Sequence, residues 1–119
     1  MRYMLLIYKD EKAWGEMSVQ EKGAIFHEAV EYSEDFRKRG VYLAGEPLQD
    51  TNTATTVRMK NGKTVMTDGP FAETKEQLGG YSIVEAKDLD EVIAFVTRHP
   101  LLRGGLSIEV RPIREGPPH

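Results

Sequence analysis

Apolar positions along this chain are grouped, and the grouping predicts its elements. Residues 3–8, YMLLIY, are apolar on both alternating faces, the mark of a strand covered on both sides and central in its sheet. Residues 9–17 turn polar and read as a connection carrying Trp14. Ser18-Val19-Gln20-Glu21 has the form of a capping box, in which the serine accepts from a free backbone N–H and the glutamate reaches back. Beyond it Val19, Phe26, Ala29, Val30, Ser33 and Phe36 fall on one helical stripe. Arg37, Lys38 and Arg39 suit the negative end of the helix dipole, and Gly40 suits the left-handed position that ends a helix. These features predict a helix over about residues 19–39.

Residues 41–46, VYLAGE, read as a strand stopped by Pro47. Residues 54–59 and 63–67 are rich in Thr, Val and Met, and Asn61-Gly62 between them readily takes the positive φ of a tight turn, so the pair reads as a β-hairpin. Residues 68–80, DGPFAETKEQLGG, read as a long loop, and residues 81–86 as a strand. Asp88 caps a second helix over about 89–98, with Leu89, Val92, Ile93 and Val96 inward, and Pro100 ends it by disfavouring helix at His99. Residues 106–113 are the last strand, and Gly-Pro-Pro-His is a tail.

The resulting order is β-α-β, a hairpin, then β-α-β, which predicts a ferredoxin-like α+β domain: an antiparallel sheet with both helices on one face. No repeat or low-complexity linker divides the chain, so residues 1–119 read as a single domain. One sheet face is then left over. On the first strand Tyr3, Leu5 and Ile7 oppose Met4, Leu6 and Tyr8, and both sets are apolar; on the last, Leu106, Ile108 and Val110 oppose Ser107, Glu109 and Arg111. Exposed apolar sheet surface marks an interface. The expectation is a homodimer whose sheets meet face to face, with a ligand-sized cleft between or beside them; the contrary reading is a monomer whose long loops fold over the sheet.

Composition narrows the function. A domain of 119 residues holds a real core without staples. The absence of cysteine excludes disulfides, thiolate metal sites and a cysteine nucleophile, and fits a cytoplasmic location. With 16 basic against 19 acidic residues, formally −3, the chain is too acidic to live on phosphate backbones, so no nucleic-acid partner is expected. The apolar run at residues 3–8 is too short to span a membrane or serve as a secretory core, and Asp10, Glu11 and Lys12 end it, so no membrane partner is expected either.

The stretch Asp68–Gly80, DGPFAETKEQLGG, closely resembles the signature of the YCII-related, or DGPF-domain, family of small bacterial proteins. YMLLIY at the start, GVYLAGEPL at 40–48, ATTVR at 54–58 and IEVRPI at 108–113 are also similar to that family, so the resemblance covers nearly the whole chain. It implies a ferredoxin-like fold, assembly as a dimeric α+β barrel, and kinship with small enzymes of the muconolactone-isomerase and dechlorinase kind. The family carries little established chemistry of its own. Its members are often encoded near extracytoplasmic-function sigma factors, which suggests a regulatory link.

His27 lies on the flank of the helical stripe, and a histidine titrates near neutral pH, so it is a candidate general acid or base. The resemblance implies a His–Asp pair with the histidine from this part of the chain, a position His27 matches only loosely; the plain alternative is a solvated flank residue. Asp68 would be its partner, or would simply bond the backbone of an Asp-Gly-Pro turn while Phe71 plugs the core. Glu73 and Lys75, on a long loop beside the supposed cleft, are candidates to hold a polar and an anionic ligand respectively. Arg58 and Arg111, on strands, can bind a carboxylate bidentately or pair across strands. His27, His99 and His119 share no metal-ligand spacing; His99 reads as a helix-end residue, and neither a metal nor any other cofactor is expected. The sequence thus supports a homodimer binding a small anionic or aromatic molecule, with proton-transfer or lyase chemistry by His27 and Asp68 as one outcome. A non-catalytic regulatory or interaction module is the other.

Overall fold

The computed structural model describes residues 1–117, so the expectation for His119 lies outside the described residues. The chain forms β1 (Arg2–Lys9), a short helix α1 (Glu11–Glu16), the long helix α2 (Val19–Lys38), β2 (Tyr42–Pro47), the hairpin strands β3 (Thr55–Lys60) and β4 (Lys63–Asp68), β5 (Gln77–Glu85), α3 (Leu89–Thr97) and β6 (Ser107–Pro112). A four-stranded sheet runs β2-β5-β1-β6, with every adjacent pair antiparallel. The hairpin is a separate two-stranded ribbon. This is the ferredoxin-like α+β arrangement, and β1 is central, as its apolar run requires.

The layers follow from side-chain alternation. Tyr3, Leu5, Val84, Ala86, Val92 and Phe95 form the buried core between the sheet and the two longer helices, and Tyr32, Phe36, Val41, Val96, Ile108 and Val110 pack against it. Ser18 Oγ accepts from the Glu21 N–H to start α2, and Asp88 does the same for the Glu91 N–H to start α3. Asn61 and Gly62 both take positive φ, 51° and 77°, which closes the hairpin.

Three local expectations are corrected. Residues 11–16 are helical, because the Asp10 carboxylate accepts from the Lys12 and Ala13 amides and caps a single turn and a half. The strand expected from residue 81 begins at Gln77: Lys9 lies over Gly79, and Gly80 pairs so closely with the β2 backbone that a Cβ there would stand 3.1 Å from the Glu46 carbonyl oxygen. In α3 the inward residues are Val92, Phe95 and half-buried Val96, while Leu89 and Ile93 are exposed.

Candidate functional site

The helix–sheet sandwich is tightly filled at only one end. At the other, β5 presents Gly79, Gly80 and Ser82, β2 presents Gly45, and α2 offers Ala29 and Ser33, none of which reaches across the gap. The result is a cavity of about 360 Å³ between α2 and the sheet, within the range of about 300–1,000 Å³ found for small-molecule sites. Trp14, Phe26, Val30, Leu101 and Leu106 supply its apolar walls. This explains why Phe26 and Val30, on the apolar stripe of α2, remain half open: they border a cavity rather than a packed core. Val19, at the start of that stripe, is exposed.

The polar groups at the cavity are few and specific. His99 is 5 % exposed, edge-on to Tyr32 and Phe95 with ring centroids 5.3 and 5.8 Å away. Burial pushes its pKa down to about 4, so the ring is neutral at ordinary pH. Its Nδ1 accepts the Leu101 N–H at 3.2 Å, which assigns the proton to Nε2. Nε2 has no hydrogen-bond partner among the described residues, while the ring lines the cavity. Buried Ser82 adds a hydroxyl, and Tyr42 a phenol whose oxygen lies where a Gly45 Cβ would stand. The cations at the rim are already matched: Lys9 Nζ lies 3.4 Å from Asp50 Oδ1 and 5.6 Å over the Trp14 ring, and Arg37 Nε lies 3.4 Å from Glu34 Oε2.

α1 is fastened over this end of the molecule. The Glu11 carboxylate accepts from Thr51 N–H at 2.7 Å and Thr51 Oγ1 at 2.6 Å, and the Glu11 amide donates to Gln77 Oε1 at 2.9 Å. Trp14, carried by α1, packs over Gly104, where a Cβ would meet its Cζ3 at 3.2 Å.

The residues singled out in the sequence lie elsewhere. His27 is on the outer side of α2, 72 % exposed, with Nε2 3.0 Å from Glu31 Oε1. Asp68 ends β4 with an exposed carboxylate, and no hydrogen bond joins the two among the described residues. Glu73 borders a smaller cavity of about 310 Å³ with Pro70, Thr74 and Gln77, and Lys75 is exposed. Arg58 donates to the Phe71 carbonyl at 3.1 Å and lies 4.7 Å over its ring. Phe71 does not plug the core; it is 73 % exposed, because its loop leaves the body of the domain with the hairpin. Arg111 is 3.4 Å from Glu109, which also accepts from Tyr8 Oη at 3.1 Å, on the sheet face opposite the helices. The structure therefore gathers a different set, whose members the sequence marked only in other roles: Phe26, Ala29, Val30 and Ser33 as the stripe of α2, Trp14 as part of a connection and His99 as a helix-end residue. The missed signal is the run of small residues at 79, 80 and 82 on an otherwise apolar strand.

The chain is thus a ferredoxin-like α+β domain with a cavity of small-molecule size between its long helix and its sheet. Residues 1–116 match the YCII-related domain, and the chain belongs to that family. An uncharacterised protein of Rhizobium meliloti (strain 1021) is 34% identical over 95 residues, spanning 80% of this chain and 77% of its own. The solved structure of 5-chloro-2-hydroxyhydroquinone dehydrochlorinase from Burkholderia phenoliruptrix AC1100, in complex with 2,5-dihydroxybenzoquinone, superposes with a TM-score of 0.58. That match is at 19% identity and covers 98% of this chain and 96% of the other. It shares the fold. Among the described residues no helix is long and apolar enough to cross a membrane.

Proposed function

We propose that this protein binds a small, flat, hydroxylated ring compound in the cavity beneath α2. The observation that carries the reading is the cavity itself: apolar walls around one neutral imidazole donor, His99, and the hydroxyls of Ser33, Tyr42 and Ser82. Such a lining suits a ring with oxygen substituents. The cations at the rim already have carboxylate partners, which favours an uncharged or singly charged ligand over a polyanion. The fold neighbour's quinone complex is in keeping with this class of molecule.

With its pKa held low, His99 does not act as an imidazolium acid. It donates a hydrogen bond from Nε2 and polarises a ligand oxygen, the way a neutral histidine assists enolisation. Proton transfer by His27 and Asp68 needs a second chain against them, because within one chain both are exposed and unconnected. A second chain has a place to dock. Met4, Leu6, Tyr8, Tyr81 and Ile83 form an apolar strip on the helix-free sheet face, half-buried by their neighbours but roofed by no element. We read this strip as the contact of a homodimer.

Trp14, the chain's single tryptophan, lines the cavity and reports on it. Titration with 2,5-dihydroxybenzoquinone and simple hydroxylated aromatic acids is expected to quench its fluorescence saturably and to raise the melting temperature. Ala29→Leu, which fills the cavity from α2, is expected to remove both effects while the chain stays folded. Linear, unsaturable quenching with no thermal shift for every compound would overturn the reading in favour of an interaction module.

A further inference from the structure

The hairpin of β3 and β4 stands apart from the rest of the chain. Its strands pair only with each other, and their extended contacts are with each other rather than with the four-stranded sheet or the helices. The radius of gyration is 16.4 Å, against about 13.5 Å for a compact domain of this length. The chain exposes 8555 Å², where a folded monomer of 13.5 kDa exposes roughly 6,500 Å². The surplus of about 2,000 Å² is more than twice the about 800 Å² that each partner gives to a stable interface of ordinary size.

An isolated two-stranded hairpin is marginal in water, and one with a bare apolar face lacks the packing that would hold it. Register sets Val57 opposite Met66 and Met59 opposite Thr64 on one face of this ribbon. Val57, Met59 and Met66 are 60 %, 70 % and 72 % exposed. The other face carries Arg58, Lys60 and Lys63. With three cations against the single carboxylate of Asp68, the ribbon holds +2 of a chain whose formal charge is −3, which leaves −5 on the remainder. A basic ribbon with one apolar face is complementary to the acidic, apolar body that the same chain presents.

We infer that β3 and β4 form an arm that grips a second copy of this chain, with Val57, Met59 and Met66 packed on the partner, while Arg58, Lys60 and Lys63, on the opposite face, add long-range attraction to its net negative charge. This rests on the pairing of two chains proposed above and adds that the arm, not the sheet face alone, holds them together. A nucleic-acid strand is the other occupant a basic ribbon suits, but the negative remainder of the chain repels one.

Sedimentation equilibrium of the intact chain, of Met66→Lys, of Val57→Lys with Met66→Lys, and of Leu6→Lys on the sheet face tests it. The arm side chains are exposed within one chain, so these arm variants keep the monomer fold, which circular dichroism verifies. The dimer dissociation constant is expected to rise roughly tenfold or more for Met66→Lys and about a hundredfold or more for the double variant. In a dimer mixed from labelled and unlabelled chains, the Met59 and Met66 methyls are expected to show intersubunit NOEs. A wild-type monomer at micromolar concentration, with or without affinity for duplex DNA, overturns both the pairing and the arm. A wild-type dimer that Leu6→Lys breaks, that both arm variants leave intact and that shows no intersubunit NOE from those methyls overturns the arm alone.

Discussion

Acid should weaken this fold through one residue, His99. Burial holds its imidazole neutral with a pKa of about 4, whereas in an unfolded chain a histidine titrates near 6.5. The unfolded state therefore takes up the proton first. The stabilisation is fully present above about pH 6.5, declines as pH falls below that value, and is gone once pH passes below about 4. The gap corresponds to about 3 kcal/mol in all, of which about 2 kcal/mol is lost between pH 7 and 4.5. That loss is a large share of the roughly 5–15 kcal/mol that holds a domain together. The perturbation that isolates it is His99→Asn, since an asparagine oxygen can accept the Leu101 amide as Nδ1 does and carries no titratable proton. Urea midpoints followed by circular dichroism from pH 7 to 4.5 should fall more steeply for the wild-type chain than for the variant, converging by about 2 kcal/mol at the acid end. Nitrogen-detected NMR of the ring should show Nε2 protonated and Nδ1 bare at pH 6. Parallel acid losses in the two proteins, or a His99 resonance that titrates near 6.5, would show that the ring is solvated and the reasoning wrong.

Other substitutions probe the remaining parts of the argument. Phe95→Ala removes a ring in contact with Tyr32 and Phe36 at 5.1 and 4.6 Å and should cost about 3–5 kcal/mol by denaturant melting. Ser18→Ala takes away the acceptor of the Glu21 amide and should cost about 1 kcal/mol, while Val19→Ser beside it, on an exposed position, should stay within about 0.5 kcal/mol. Gly45→Ala sets a Cβ 2.7 Å from the Tyr81 carbonyl oxygen and against the Tyr42 hydroxyl; it should weaken ring-ligand binding as read by Trp14 fluorescence and lower stability by about 1–3 kcal/mol.

Much of the fold was legible in the sequence, because it is written in local chemistry. The doubly apolar run at 3–8 named the central strand, the capping box at 18–21 named the start of α2, and Asn61-Gly62 named the hairpin. What failed did so where distant residues decide. α1 has no period to detect in six residues, and its only local sign was Asp10 before Glu11. Gly79 and Gly80 look like loop residues but are strand: Gly80 pairs with both β1 and β2, and the β2 backbone leaves little room there for a side chain. His99 reads locally as a helix stop before proline, and only Tyr32 and Phe95, brought from two helices, bury it.

The candidate site was illegible for a deeper reason than distance. Function shows in a sequence through residues that do something, and this cavity is made largely by residues that do little: Ala29, Gly45, Gly79 and Gly80. Space in a folded interior is costly, since each unfilled methyl-sized void forfeits dispersion and transfer energy. A largely apolar gap of about 360 Å³ left open beneath a helix is either room for an occupant or loose packing that water enters, and the two have different consequences. If the space is for an occupant, filling it from Ala29 should stabilise the empty protein and abolish binding together. If it is merely loose packing, the same substitution should stabilise the chain and leave its response to every ring compound as it was.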